Sequence, residues 1–195
     1  MTTKKIHATA IVEDGVVLGD NCSVWHWTHI CSGAKVGKNC SFGQNVYVAK
    51  SVVIGSNVRI QNNVSIYDAV TLEDDVFCGP SMVFTNVLTP RSAYPKKSNY
   101  LPTVVKQGAS IGANATIVCG SLIGSYALVA AGSVVISDVK DFALVAGVPA
   151  RQVGWVSRYG ERLNLPLLGV GRATCPQLGE AYELSNGVVS LLKLP

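Results

Sequence analysis

The chain has 195 residues, a formal net charge of +4 and 48% hydrophobic residues; it holds no apolar run long enough to span a bilayer and no secretory leader over Met1–Ala10, so a soluble, cytoplasmic protein is expected. The charge is mild and forms no basic run, which argues against nucleic acid and suits polyanionic small molecules. Six cysteines without a CxxC spacing fit small core residues in a reducing compartment.

From Val12 the chain steps by six through Leu18, Val24, Ile30, Val36, Phe42, Val48, Ile54, Ile60, Ile66, Leu72 and Cys78 to Phe84, without a polar interruption. Chance would produce such a run about once in a million registers, and neither a helix nor an alternating strand has this period. Four residues after each comes a small or slim side chain, such as Cys22, Thr28, Ala34, Cys40 or Val46. Three residues after it comes a turn former: Gly15, Asn21, Gly33, Asn39, Asn45, Asn57, Asn63 or Asp75. Gly, Asn and Asp accept positive φ, so each hexad reads as a short strand followed by a corner. Three hexads make one coil of a triangular prism, and a residue lies under the one eighteen positions later. The expectation is a parallel β-helix, with Cys22, Cys40 and Cys78 pointing inward.

The beat breaks after Phe84. From there to Val105 is 21 positions where the period allows six, and the stretch carries Pro90, Pro95, Pro102 and several cations. A β-helix has few concavities of its own. A loop over residues 85–104 therefore reads as the wall of a pocket or an arm toward a neighbouring subunit. The hexads resume at Val105, Ile111, Ile117, Ile123, Val129 and Val135, with Gly108, Asn114, Gly120, Gly132 and Asp138 as corners.

The repeat region is taken as 1–150 and a C-terminal part as 151–195. Over Gln152–Leu163 the placing of Val153, Val156 and Leu163 predicts a short cap helix, against which Gly154 and Gly160 count. Ser185-Asn186-Gly187, between AYEL and VVSLL, reads as a two-residue hairpin turn. The tail shows no chemistry of its own, since the lone Cys175 cannot build a metal site.

The hexads resemble those of the hexapeptide-repeat acyltransferases, and left-handedness of the β-helix is implied by that resemblance alone. AGVPA followed by Arg151 resembles the closing turn of members that use coenzyme A. Three stretches carry a closer likeness: SVWHWTHICSGAKVG, IQNNVSIYDAVTLEDDVFCGPSMVFTNVLTPR and DFALVAGVPARQVGWVSRYG, with VFTN and PR at Val83–Arg91 the most specific part. These are similar to the nucleotide-sugar 3-N-acetyltransferases, in particular those acting on UDP-2-acetamido-3-amino-2,3-dideoxy-glucuronate in lipopolysaccharide O-antigen synthesis. The resemblance implies acetyl transfer from acetyl-CoA to the sugar's 3-amino group, no metal, and a homotrimer with its sites between subunits.

Acetyl-CoA is already activated and a sugar amine loses its proton near neutral pH, so positioning and oxyanion stabilisation can supply most of the catalysis. The loop after Phe84 holds no histidine, but Asn86 resembles the asparagine that such enzymes place beside the acceptor amine. Its amide oxygen can accept a hydrogen bond from the amine, leaving the proton to the departing thiolate. His29 is the candidate for a base, should one be used. Tyr67 and Asp68 lie one coil below Thr85 and Asn86. Gln44 and Asn62 belong to a polar corner ladder that either satisfies backbone groups or faces the sugar. Arg91 or Lys97 is the candidate cation for a sugar carboxylate. Ala130, Ala131 and Gly132 are small enough to admit a pantetheine arm, and Arg151 is assigned to a phosphate of coenzyme A. His7 is read as a solvated or capping residue. Trp25 and Trp27, at corner positions usually given to Gly or Asn, should pack on a second subunit or a ligand.

Three other readings are weighed. An N-acetyltransferase for a dTDP-linked 3-amino-3,6-dideoxyhexose differs only in its acceptor. A zinc carbonic anhydrase of the same fold requires an HxxxxH pair, whereas His26 and His29 are three apart. A non-catalytic scaffold predicts long outward Thr or Ser ladders and no proline-rich loop.

Overall fold

The computed structural model describes residues 4–96 and 99–192; Lys97, a candidate carboxylate partner, lies outside them. The hexads form two-residue strands stacked in parallel with an eighteen-residue register, as in Ser41↔Arg59 and Tyr47↔Ser65. Three sheets of ten, seven and six strands form the sides of a prism, and a separate three-stranded sheet stands at its C-terminal end. The fold is all-β, a parallel β-helix. No helix among the described residues is long and apolar enough to cross a membrane.

Each strand places one residue outward and one inward, because successive side chains of a strand alternate. The inward set, including Ile30, Phe42, Val48, Ile66, Phe84, Ile111 and Ile117, fills the prism axis with buried side chains. Fully burying one large apolar side chain stabilises by about 1.5–3 kcal/mol; the inward residues are buried from Val24 onward, while Val12 and Leu18 of the first coil are half-buried. Cys40 and Cys78 belong to this interior, where loss of hydration pushes both thiols up to about 12. All six cysteines are free.

The corners follow the turn formers closely but not completely. Asn21, Asn39, Asn45, Asn57, Asn63, Asp75 and Asn114 take φ between 56° and 62°. Along one edge, Asn21, Asn39, Asn57 and Asp75 hydrogen-bond side chain to side chain at 3.0–3.2 Å, which ties four coils together. Asp138 is not among the left-handed residues; its carboxylate instead accepts the Leu122 N–H at 2.8 Å. Conversely Trp27, Ala69, Ser81 and Tyr126 take left-handed φ without a turn-former's chemistry. Trp27 does so at 52° while Trp25 does not, so only one of the paired tryptophans replaces a turn former in conformation.

The inserted loop is shorter than expected, because Thr103–Val105 already pairs with Val70–Leu72. The cap helix is absent. Ala150–Val156 is a strand, antiparallel to Ala143–Gly147 across a bulge at Leu144/Val145, and Arg162–Leu163 pairs with it in turn. The physical reason is the open edge of the last coil: its unpaired backbone groups are satisfied by a strand, which a helix cannot do. Gly154 and Gly160 also weaken the helical alternative. Trp155 becomes fully buried and donates its indole N–H to the Pro166 carbonyl at 2.9 Å.

The Asn186-Gly187 turn forms as expected, with φ of 51° and 70° between Ser185 and Val188. Its hairpin closes the prism end. The buried Tyr182 ring meets Phe142 edge-on at 5.6 Å, and Phe142 stacks on Tyr126 at 5.4 Å. Arg158 forms an ion pair with Glu180, and the Tyr182 hydroxyl donates to the same carboxylate at 2.7 Å.

Candidate functional site

Two corners flank the seven-stranded face. The one that carries the loop is built around Asn86. Thr85 donates its N–H to the Ile117 carbonyl, and its hydroxyl oxygen accepts the Cys119 N–H at 3.0 Å, so the point of exit is fastened to the coil above. The Asn86 carbonyl accepts the Leu101 N–H at 3.1 Å, which closes the neck of the loop. Its half-buried side-chain amide has no hydrogen-bond partner among the described residues and is available to a ligand.

One coil below stand Tyr67 and Asp68, as the Ser65↔Val83 register requires. Tyr67 is exposed, and Asp68 Oδ1 accepts from the Ser51 N–H at 3.2 Å and from its hydroxyl at 2.7 Å. The Ser51 oxygen in turn accepts the Ala69 N–H at 3.1 Å. Asp68 is thereby held rigid, with lone pairs to spare.

The same register separates Asn86 from the other catalytic candidate. His29 pairs with Tyr47, Tyr47 with Ser65, and Ser65 with Val83. Three inter-strand spacings amount to about 14 Å, so His29 and Asn86 do not meet within one chain. His29 belongs instead to a second cluster down the same corner. Its Nε2 lies 2.6 Å from Glu13 Oε1, and Glu13 Oε2 accepts the Ser32 N–H at 2.8 Å. The Ser32 N–H first, and His29 second, hold the Glu13 carboxyl below the usual carboxylate range. The Cys31 thiol bonds to the Tyr47 hydroxyl at 3.6 Å, and that bond is the main reason the phenol is pushed up to about 12.

Glu13, His29 and Cys31 bring three metal-ligating atoms within 4.8 Å of one another. Tetrahedral zinc with bonds of about 2 Å would hold its oxygen and nitrogen ligands roughly 3.3 Å apart. At 2.6 Å the Glu13–His29 pair is closed as a hydrogen bond, and a metal would have to part it.

Gln44 and Asn62 lie on the opposite corner, across the seven-stranded face from Asn86. There they line a cleft of about 380 Å³ with Trp25, His26, Ser41 and Gln61. Asn62 Oδ1 accepts the Gln44 N–H at 2.9 Å, and Asn45 donates to Asn63 at 3.2 Å, so this ladder does satisfy corner backbone and side-chain groups. His26 stacks on His7 at 3.6 Å, and Trp25 and Trp27 are 54% and 60% exposed.

Ala130, Ala131 and Gly132 form a late turn of this same corner. Gly112, one coil below, cannot carry a side chain, because a Cβ there would lie 2.5 Å from the Ala131 nitrogen. Gly132, at φ 70°, faces open space. Arg151 is exposed on the capping strand opposite Ala146, and its guanidinium donates to the Ala150 carbonyl at 2.9 Å.

Within the loop, Arg91 shares a depression of about 470 Å³ with Val87, Pro90, Ser92 and Lys96. Arg91 donates to the Pro90 carbonyl and Lys96 to the Thr89 hydroxyl; neither pairs with a carboxylate among the described residues. The sequence reading passed over Lys96, which only the folded loop sets beside Arg91, and it passed over Glu13, whose link to His29 needs the coil geometry.

Comparison with known proteins agrees with this architecture. The models "Bacterial transferase hexapeptide (six repeats)" and "Hexapeptide repeat of succinyl-transferase" match residues 15–50, and 33–68 with 102–137. Over 187 residues, 96% of this chain and 94% of the relative, the sequence is 45% identical to a dTDP-3-amino-3,6-dideoxy-alpha-D-galactopyranose 3-N-acetyltransferase of Aneurinibacillus thermoaerophilus. A hexapeptide-repeat acetyltransferase of Vibrio cholerae O1 biovar eltor, solved with acetyl coenzyme A, superposes with a TM-score of 0.55 at 30% identity, covering 63% of this chain and 70% of its own. An acetyltransferase domain from Neisseria gonorrhoeae shares the fold, with a TM-score of 0.52 at 19% identity, covering 77% of this chain and 57% of its own. The chain belongs to the bacterial hexapeptide-repeat transferases, among their nucleotide-sugar N-acetyltransferases.

Proposed function

We propose that the protein transfers the acetyl group of acetyl-CoA to the 3-amino group of a dTDP-linked 3-amino-3,6-dideoxyhexose. The observation that carries this acceptor is the 45% identity, over nearly the whole of both chains, to an enzyme named for that chemistry. It favours the dTDP-sugar over the UDP-linked 2-acetamido-3-amino-2,3-dideoxy-glucuronate expected from the sequence. One observation supports the latter as a second reading: Arg91 and Lys96 around a single depression offer two cations to a sugar carboxylate.

In the proposed reaction the neutral amine attacks the thioester carbonyl, with the Asn86 amide oxygen accepting one amine hydrogen and aiming the lone pair. The tetrahedral intermediate collapses by breaking the carbon–sulfur bond, and the amine proton passes to the departing thiolate. His29, three coils away, takes no part in that transfer. Asp68 and Tyr67 hold the sugar from below. The pantetheine arm runs past Ala130, Ala131 and Gly132, and Arg151 meets a phosphate of coenzyme A.

The late corner and the loop corner stand on opposite edges of one face. They approach a single substrate pair when a second copy sets its loop corner beside the late corner of the first; the resemblance to the hexapeptide-repeat acyltransferases extends this to a homotrimer with sites between subunits. Trp25 and Trp27 add an apolar contact. The deciding experiment incubates the enzyme and acetyl-CoA with each of the two amino-sugar nucleotides and identifies products by mass spectrometry. Acetylation of the dTDP-sugar alone supports the first reading, acetylation of the UDP-sugar alone the second, and acetylation of neither overturns both.

A further inference from the structure

We propose that the loop corner below Asn86 holds the nucleotide half of the acceptor, with its diphosphate opposite Lys50 and an imide pyrimidine, thymine or uracil, against Tyr47 and Glu13. This rests on the sugar-nucleotide reading above and extends it to residues that the amine chemistry leaves unused.

The β-helix register sets the order of groups. Residues 86, 68, 50 and 32 recur at the same corner at eighteen-residue intervals, as do 85, 67, 49, 31 and 13. From the amide of Asn86, the corner presents Asp68 with Tyr67, then Lys50, then Cys31 with Ser32, then Glu13. A sugar nucleotide has the same linear order: a sugar rich in hydroxyls, an anionic diphosphate, and a flat base with polar edges. Lys50 is exposed and forms no ion pair among the described residues, so its charge is free for a phosphate.

The lower cluster has the makings of a base site. Tyr47 lies between the Tyr67 ring at 6.1 Å and the His29 ring at 5.8 Å, which gives a continuous aromatic strip for a planar ring. Glu13 is fixed from two sides, by Ser32 and by His29, yet its side chain is 40% exposed. A carboxylate offers about four lone-pair positions and only two are occupied. A spare one can accept the N3–H of an imide base. Cytosine presents a lone pair at that position, which the carboxylate repels. His29 is then a positioning residue: it donates Nε2–H to Glu13 and holds the carboxylate in place.

The test uses dTDP, UDP and CDP as probes, with affinity measured by calorimetry on the full chain. The wild type is expected to bind dTDP and UDP about ten- to a hundredfold more tightly than CDP, the value of one hydrogen bond to a charged acceptor. Glu13→Gln should lose that preference, and Lys50→Ala should weaken all three probes by a similar factor, while coenzyme A binds each variant as it binds the wild type. His29→Gln, which keeps a donor, should preserve more of the preference than His29→Ala. Coenzyme A binding also confirms that each variant is folded. If wild type acetylates a sugar nucleotide but Glu13→Gln and Lys50→Ala bind dTDP unchanged, this assignment is wrong and the proposed function stands. If wild type neither acetylates a sugar nucleotide nor binds dTDP, both fall.

Discussion

His29 Nε2 lies 2.6 Å from Glu13 Oε1, in a corner about 14 Å below Asn86. The imidazole that looks most like a catalytic base is therefore engaged with a carboxylate away from Asn86, the residue proposed to meet the acceptor amine. Asn86→Ala is expected to lower kcat by about one to three orders of magnitude, as loss of a polar contact at a reacting group does. His29→Ala should affect KM for the sugar nucleotide more than kcat. Steady-state kinetics on both variants decide it: loss of turnover in His29→Ala with both substrates still bound would make the histidine a base.

The proposed mechanism gives the proton to no enzyme group, so kcat/KM should rise with pH along the titration of the substrate's own amine. The same curve is expected for wild type and Asn86→Ala, displaced downward in the variant. A separate inflection that vanishes in His29→Ala would contradict the mechanism.

Arg151 stands on the capping strand beside Ala146, two strands above the Ala130–Gly132 turn. Arg151→Ala should weaken coenzyme A binding by about tenfold, the value of one charge-assisted phosphate contact, and leave dTDP affinity unchanged. Calorimetry with the two ligands separately reads both effects, and the reverse pattern would remove Arg151 from the cofactor site.

The C-terminal hairpin is held by Tyr182, buried against Phe142, and by Glu180 between Arg158 and the tyrosine hydroxyl. Tyr182→Ala should destabilise the protein by about 3 kcal/mol, as removal of a buried aromatic does, measured by chemical denaturation. Arg158 first, and Tyr182 second, hold the Glu180 carboxyl below its ordinary value. A lowered carboxyl stabilises above its unfolded-state pKa, and that stability is lost as pH falls through the folded-state value. The melting temperature should therefore fall in acid more steeply for wild type than for Glu180→Gln.

Trp27 adopts φ 52°, a conformation that bulky residues avoid and asparagine tolerates, and its ring is 60% exposed. Trp27→Asn should relieve the backbone and remove an apolar contact at once. If the proposed trimer forms, the expected result is a folded protein whose trimer dissociates at higher concentration than wild type, read by analytical ultracentrifugation. A wild type that sediments as a monomer at micromolar concentration would remove the shared-site arrangement altogether.

The β-helix was legible because its cause is local and repeated: one inward apolar residue per strand, one residue tolerant of positive φ per corner, and a rigid six-residue spacing that fixes which residues stack. The placing of Tyr67 and Asp68 beneath Asn86 followed from that spacing alone. The cap was misread because an amphipathic spacing in Gln152–Leu163 says nothing about an unpaired sheet edge, and the edge prevailed. Trp27, Ala69 and Tyr126 entered left-handed corners for a related reason: backbone hydrogen bonds to the coils on either side hold a turn that the residue itself does not favour. The site was legible only in part. Side chains eighteen apart could be paired on paper, and the three coils between His29 and Asn86 counted, but the lock between His29 and Glu13 and the meeting of Arg91 with Lys96 depend on side-chain reach and the path of an irregular loop. Only the tertiary structure decided these, because each is a contact between segments whose separation the six-residue beat does not encode.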